Sequence, residues 1–236
     1  MNHYSVGLKG RDRVNNAVGG GFPGGSLVLL EGGTGTGKSA LLSRFVYGLC
    51  TEGTSVGMVS TESTAREYIA QMHSLSYDVV DALLDGRLTY FRAPTDGERP
   101  LLSRLLSPGG LWDASVVAVD GFGALCRNDR TFGPTLDSGD EDRAMEQVVT
   151  GIDPPLAAGK VVIATVDPAA LTDRALRPLR DAADVYVELQ TNVVGQEIRK
   201  QGLVRRFAGM KRPVDDTISF SVQQGRGVVV ESRTVA

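Results

Sequence analysis

An α/β fold, with a mostly parallel central sheet flanked by helices and antiparallel hairpins added at its C-terminal end, is predicted by three features of the sequence. Between Leu27 and Leu189, short apolar runs alternate with stretches whose apolar residues recur at helical spacing. Several of the runs close on an acidic or hydroxyl residue, as strands do when they end at a ligand-binding sheet edge. After Leu203 the pattern becomes polar and apolar in alternation, broken by turn residues, which marks antiparallel strands.

At 236 residues the chain suits a single domain spanning 1–236, large enough to bury a real core. No internal repeat or low-complexity tract interrupts it. Residues 1–25 combine a short amphipathic piece with a Gly-Pro-rich turn from Gly19 to Gly25, and read as a lead-in packed across the ligand-binding end of the sheet. Leu27–Leu30 is the first buried strand. Leu41, Leu42, Phe45 and Val46 then define a helix, Ser55–Ser60 a second strand, and Ala65, Ile69, Met72 and Leu75 a helix with one buried face. Leu88–Ala93 is a further strand, and Leu101, Leu102, Leu105 and Leu106 mark a short helix stopped by Pro108.

Ser115–Asp120 is a buried strand closing on an acid. Residues 127–142 are polar and charged and read as a surface loop. A helix over Ala144–Ile152 is expected to end at Pro154-Pro155, because proline lacks the N–H that helices need. Lys160–Val166 is another buried strand, with Asp167 at its end. The stretch Leu171–Leu179 is helical with a break at Pro178, and Ala183–Leu189 is the last parallel strand. Leu203–Phe207, Thr217–Val222 and Gly227–Glu231 form the hairpins.

The segment between the first strand and the first helix carries the chemistry. Gly32-Gly33-Thr34-Gly35-Thr36-Gly37-Lys38-Ser39 fits G-x-x-x-x-G-K-[ST], in the strand, loop and helix setting that motif requires. Glycines let the loop curl until successive N–H groups converge on a phosphate. The helix that follows adds the partial positive charge of its N-terminus. Gly33, Thr34, Gly35, Thr36, Gly37, Lys38, Ser39 and Ala40 are therefore the candidate residues for ATP phosphates. Lys38 reaches the β and γ phosphates, and Ser39 is placed to ligate Mg²⁺. Asp120 comes beside Ser39 if its strand lies in the same sheet, where it would hold Mg²⁺ directly or through water. Glu62, at the carboxyl edge of another strand, has two readings. It is a carboxylate that orients or deprotonates the attacking water, or a cap on the following helix.

The remaining composition excludes more than it proposes. A net charge of −3 leaves no basic footprint for nucleic acid. Cys50 and Cys126 are far apart and lack metal-ligand spacing, which favours a reduced, cytoplasmic compartment. No run of 18 apolar residues occurs and the N-terminus lacks a signal-peptide core, so any membrane role is expected through a partner. Arg199, Lys200, Arg205, Arg206, Lys211 and Arg212 bunch in the C-terminal hairpins. They suit a solvated surface or, with Arg206 and Lys211 as the candidates, arginine-finger-like contact with a neighbouring subunit's γ-phosphate.

The lead-in G-x-x-G-x-D (Gly7–Asp12) with GGGFPGGSLVLLEGGTGTGKS resembles the RecA-like P-loop NTPases of the KaiC type. Within them, VSTES, YIAQMHSLSYDVVDALLDGRL, AAGKVVIATVDP, AADVYVEL and DDTISFSVQQGRGVVVE are similar to the accessory ATP-binding proteins of the archaellum, the archaeal flagellum. The resemblance covers nearly the whole chain. It implies a RecA-type fold that binds ATP and Mg²⁺ and forms a homo-oligomeric, hexameric ring. The ring would sit at the cytoplasmic, membrane-associated base of the motor and meet the secretion-type motor ATPase and a polytopic membrane platform. It also implies weak turnover, with Asp120 as the Walker B acid and Glu62 as the catalytic glutamate. Two departures point the same way. Gly121 stands where many such sequences carry Ser or Thr, and Ala208 occupies the second basic position of the family's Lys-x-Arg-Gly element. Competing classes are a DNA-stimulated recombination-type ATPase, which the missing basic groove disfavours, and an autophosphorylating signalling protein.

Overall fold

The computed structural model describes residues 2–8, 13–96, 98–194 and 197–230. Gly10 and Asp12 of the lead-in motif, and Glu231 at the end of the expected last strand, lie outside the described residues. The chain begins with β1 (His3–Tyr4), α1 (Arg13–Ala17) and β2 (Phe22–Pro23), followed by β3 (Leu27–Gly32) and α2 (Lys38–Thr51). Next come β4 (Val56–Ser60), α3 (Ala65–Ser74), α4 (Val80–Leu84), β5 (Leu88–Arg92) and α5 (Leu101–Leu106). The central section holds β6 (Val116–Asp120), α6 (Phe122–Arg127), α7 (Glu141–Ala157), β7 (Val161–Val166) and α8 (Asp173–Ala182). The last strands are β8 (Val185–Val194), β9 (Glu197–Phe207), β10 (Thr217–Gln223) and β11 (Gly227–Val230).

One nine-stranded sheet in the order β11-β10-β9-β8-β3-β7-β6-β4-β5 organises these elements. From β8 to β5 every pairing is parallel, and from β8 to β11 every pairing is antiparallel. Such a parallel sheet must be covered on both faces. In β3, alternate side chains serve opposite layers. Val28 and Leu30 pack with Leu42, Phe45 and Leu49 of α2 and Met72 of α3, while Leu27 and Leu29 pack with α5, α7 and α8. All six residues of β3 are buried, so the strand leading into the glycine-rich loop is fixed along its whole length. Among the described residues, no helix is long and apolar enough to cross a membrane.

The lead-in lies at the other end of the sheet from the one expected. Gly24 N–H donates to the Asn2 carbonyl, Gly25 N–H to that of Lys160, and Tyr4 Oη to that of Gly159, all at the entry end of the parallel strands. Phe22 meets Phe45 edge-on at 5.1 Å and stacks near Phe207, and the buried Arg44 donates to the Val6 carbonyl at 2.8 Å. The Gly-Pro-rich turn thus closes the apolar layer below α2.

Three helix ends also differ from expectation. α7 continues through Pro154 and Pro155, and its final turn is closed by the N–H groups of Ala158 and Lys160 on the carbonyls of those prolines. Proline's fixed φ is itself helical, so the missing donors weaken the turn without ending it. α8 likewise runs through Pro178 to Ala182, started by the Thr172 hydroxyl accepting from Ala175 N–H. The segment 127–142 is built around a buried carboxylate, and its first residue closes α6, a helix absent from the sequence reading. Asp129, 2 % exposed, accepts from the N–H groups of Leu102, Thr131 and Phe132 and from the Thr131 hydroxyl at 2.6–2.8 Å. Burial alone would raise its pKa, but these donors hold it below the ordinary carboxylate value.

Asp129→Ala strands those donors and is expected to lower stability by about 2–3 kcal/mol, measured by thermal or denaturant unfolding. Because the folded pKa is depressed, the difference from the parent is full above the ordinary carboxylate pKa and shrinks as pH falls through the folded value.

Candidate functional site

The carboxyl ends of β3, β4, β6 and β7 converge on one cleft of about 340 Å³. Its floor is the turn from Gly32 to Ala40. Gly37 has φ +95° as the residue preceding α2, a conformation that L side chains avoid. A β-carbon there would also come within 2.8 Å of Lys200 and 3.1 Å of Phe220. The Thr36 hydroxyl donates to the Gly33 carbonyl at 2.8 Å, bracing the turn from inside. Lys38 Nζ donates to the carbonyls of Gly32 and Gly33 at 2.6 and 2.8 Å, and lies 3.9 Å from Asp167.

Beneath the loop, Arg180 of α8 forms a two-pronged pair with the buried Glu31 of β3, which also accepts from Tyr186 Oη. This pair anchors the end of β3 from the face opposite α2. It raises the pKa of Arg180.

Ser39 Oγ donates to Asp120 Oδ1 at 3.0 Å, so the two residues expected to share a metal are brought together. Asp120 is held from a second side by Thr165 of β7, whose hydroxyl donates to Oδ1 at 2.8 Å while accepting from Gly121 N–H at 2.8 Å. Burial pushes the Asp120 carboxyl above its ordinary pKa, against the pull of these hydroxyls and of Lys38. A buried oxygen acceptor beside a serine hydroxyl, facing a glycine-rich turn, fits a magnesium ion that takes its other ligands from water and phosphate. Among the described residues, no group of three or more His, Cys, Asp or Glu side chains forms a self-contained metal cage.

Glu62 lines the same cleft. Loss of hydration raises its pKa, Asp120 and Asp167 push further the same way, and Lys38 opposes them. It does not cap α3. That task belongs to Thr64 and Glu67, which form a reciprocal capping box, Thr64 accepting from Glu67 N–H at 3.3 Å and Glu67 from Thr64 N–H at 2.7 Å.

Arg206 and Lys211 are not brought to this cleft. Arg206 Nη1 donates to the carbonyls of Arg180, Asp181 and Ala183, satisfying the C-terminal end of α8 at the entry edge of the sheet. Lys211 lies near His3, where burial and then the lysine charge hold the imidazole below its usual pKa. The cation that does reach the loop is Lys200 of β9, whose Nζ donates to the Gly35 carbonyl. Sequence reasoning placed Lys200 only within a basic cluster, because its strand seemed to begin at Leu203. Thr165 was also missed, although a lone hydroxyl inside the apolar run KVVIATV was a signal. Asp167, expected near the nucleotide, accepts from the Thr34 hydroxyl at 3.0 Å.

Gly121 has a structural reason. It has φ +82° as the residue preceding α6, and a β-carbon there would stand 2.0 Å from Thr61 Oγ1.

A parallel sheet with antiparallel C-terminal strands, and a glycine-rich turn facing an acid two strands away, is the RecA-like P-loop NTPase fold. Residues 5–102 match the family model described as "ATPase: KaiC". Over the whole chain the resemblance is to the archaeal flagellar ATP-binding protein FlaH. That of Methanocaldococcus jannaschii is 29% identical over 231 residues, covering 96% of this chain and 95% of the relative. The Methanococcus voltae protein is 25% identical and matches along the full length of both. The crystal structure of the M. jannaschii FlaH superposes with a TM-score of 0.88 at 27% identity, over 98% of this chain and all of that one. A KaiC-like protein of Pyrococcus horikoshii shares the fold, with a TM-score of 0.72 at 21% identity over 98% of this chain and all of that one.

Gly121→Ser, which would restore the hydroxyl common in KaiC-type sequences, is expected to cost about 2–4 kcal/mol through positive-φ strain and the clash with Thr61. Chemical denaturation would show it, and a variant as stable as the parent would refute this account of the glycine.

Proposed function

We propose that this chain, working as a single domain over 1–236, is an ATP-binding regulatory subunit of the archaeal flagellar motor. The observation that carries this reading is the Ser39–Asp120 hydrogen bond at the mouth of the glycine-lined turn, in a chain similar to FlaH from end to end. In this proposal the N–H groups of residues 33–40 cradle the triphosphate and Lys38 leaves the carbonyls of Gly32 and Gly33 for phosphate oxygens. Ser39 and Asp120 would hold a magnesium ion, which when bound would neutralise phosphate charge. Glu62, freed from capping by Thr64 and Glu67, positions or deprotonates the attacking water.

Hydrolysis is slow in this reading. Gly121 brings no hydroxyl to the metal, and Arg206 is already committed to the end of α8. The subunits form a hexameric ring at the cytoplasmic base of the motor, stiffened by ATP occupancy. The ring contacts the motor ATPase and a polytopic membrane platform, and reaches the membrane through these partners.

Calorimetry on Lys38→Ala and Glu62→Gln tests the site. Lys38→Ala should lose ATP binding with its fold intact, and unchanged affinity would overturn the phosphate assignment. Glu62→Gln should keep ATP affinity while turnover drops by about 10²-fold or more; equal turnover would remove Glu62 from the chemistry. Light scattering with and without MgATP tests the ring, and a species that stays monomeric at every nucleotide concentration would count against it.

A further inference from the structure

We propose that Lys200 is a second phosphate-binding cation of this site, supplied in cis by the β9–β10 hairpin. The inference rests on the nucleotide-site reading above and adds to it a residue that the phosphate-loop motif does not contain.

Three observations converge on it. The first is position. Lys200 is paired with Thr191 on one side and Phe220 on the other, so its backbone is fixed within three paired strands. The second is direction. Its stem runs across Gly37, where only a missing β-carbon leaves room for Lys200 Cδ and the Phe220 ring, and its head group donates to the Gly35 carbonyl on the lip of the turn. A phosphate seated against the N–H groups of that turn meets this ammonium at short range. The third is charge. Glu62 and Asp167 line the cleft, Asp120 lies just behind its Ser39 wall, and Lys38 is shared between the loop carbonyls and Asp167. A triphosphate adds further negative charge, so a second lysine beside the loop lowers the cost of bringing it in. Lys200 has no carboxylate partner among the described residues, which leaves its charge available.

A purely structural role is the competing account, in which the lysine only ties the hairpin to the loop. Fluorescent ATP and ADP analogues titrated with magnesium into the full chain, at several salt concentrations, separate the two. Lys200→Met keeps the apolar stem over Gly37 and removes the charge, while Lys200→Arg keeps the charge; thermal melts of both report on the fold. Under the proposal, Lys200→Met binds both analogues about tenfold more weakly, with a shallower salt dependence, and Lys200→Arg stays within about threefold of the parent. If Lys200→Met melts earlier but binds within about twofold of the parent at every salt concentration, the proposal is overturned and the tether alone remains. Failure of the parent itself to bind either analogue would refute the nucleotide reading, and with it this one. Loss of binding in Lys38→Ala alone, with Lys200→Met unaffected, would spare the first and refute the second.

Discussion

The contact between Ser39 and Asp120 spans a sheet interval that neither residue controls. In the order β3-β7-β6, the strand feeding the loop and the strand ending in the acid are not neighbours, so the hydroxyl and carboxylate meet over the end of β7. Adjacent strands lie about 4.8 Å apart, and a gap of that kind needs something to hold it. Thr165 does so, donating to Asp120 from the intervening strand while taking the N–H of Gly121. Everything else in the molecule keeps these three strand ends level. Asp184 grips Leu27 N–H, the pair of Glu31 and Arg180 fixes the far end of β3, and the apolar layers clamp both faces of the sheet.

That arrangement has an electrostatic cost. A carboxylate in the position of Asp120 is disfavoured by burial, and its two hydroxyl donors offset this only in part. The chain has nevertheless kept the surrounding volume small. Gly121 turns where a side chain would strike Thr61, and the Thr61 hydroxyl lies within hydrogen-bonding distance of the carbonyls of Asp120 and Gly121. Measured against KaiC-type sequences, one hydroxyl is missing at position 121, yet the site is not short of hydroxyls. They come from Ser39 at the start of α2, Thr61 just after β4 and Thr165 within β7.

How much of this could be read from residues alone varied with range. The glycine-rich loop is contiguous and its glycines are dictated by local backbone geometry, so its setting between strand and helix was legible in full. Asp120 was legible because a buried strand closing on an acid is a short pattern. Glu62 was legible as a residue at a strand end, but its two readings could be separated only once Thr64 and Glu67 were seen to cap α3. The helices through Pro154 and Pro178 were misjudged since proline's penalty depends on what closes the next turn, and here neighbouring N–H groups do. Asp129 looked like one more surface charge in RNDRTFGP, because its donors include Leu102, 27 positions earlier. The surroundings of Lys200 and Arg206 within their own subunit were illegible for a related reason. Both sit in a polar strand without apolar periodicity, and the ten-rung ladder that orients them belongs to β8.

Helix α3 links two regions that otherwise look separate. It begins three residues after Glu62, and after about 15 Å of helix its exit is stitched to the β10–β11 turn. Gly225 N–H donates to the Ser74 carbonyl, the Ser76 hydroxyl to the Gly225 carbonyl, and Val228 N–H to Tyr77 Oη. The adjoining strand β10 pairs with β9, the strand that carries Lys200. A closed mechanical circuit results, running from the cleft along α3, through the turn, and back by way of β10 and β9 to the glycine-rich loop. A displacement of that outer turn would therefore bear on both walls of the cleft at once.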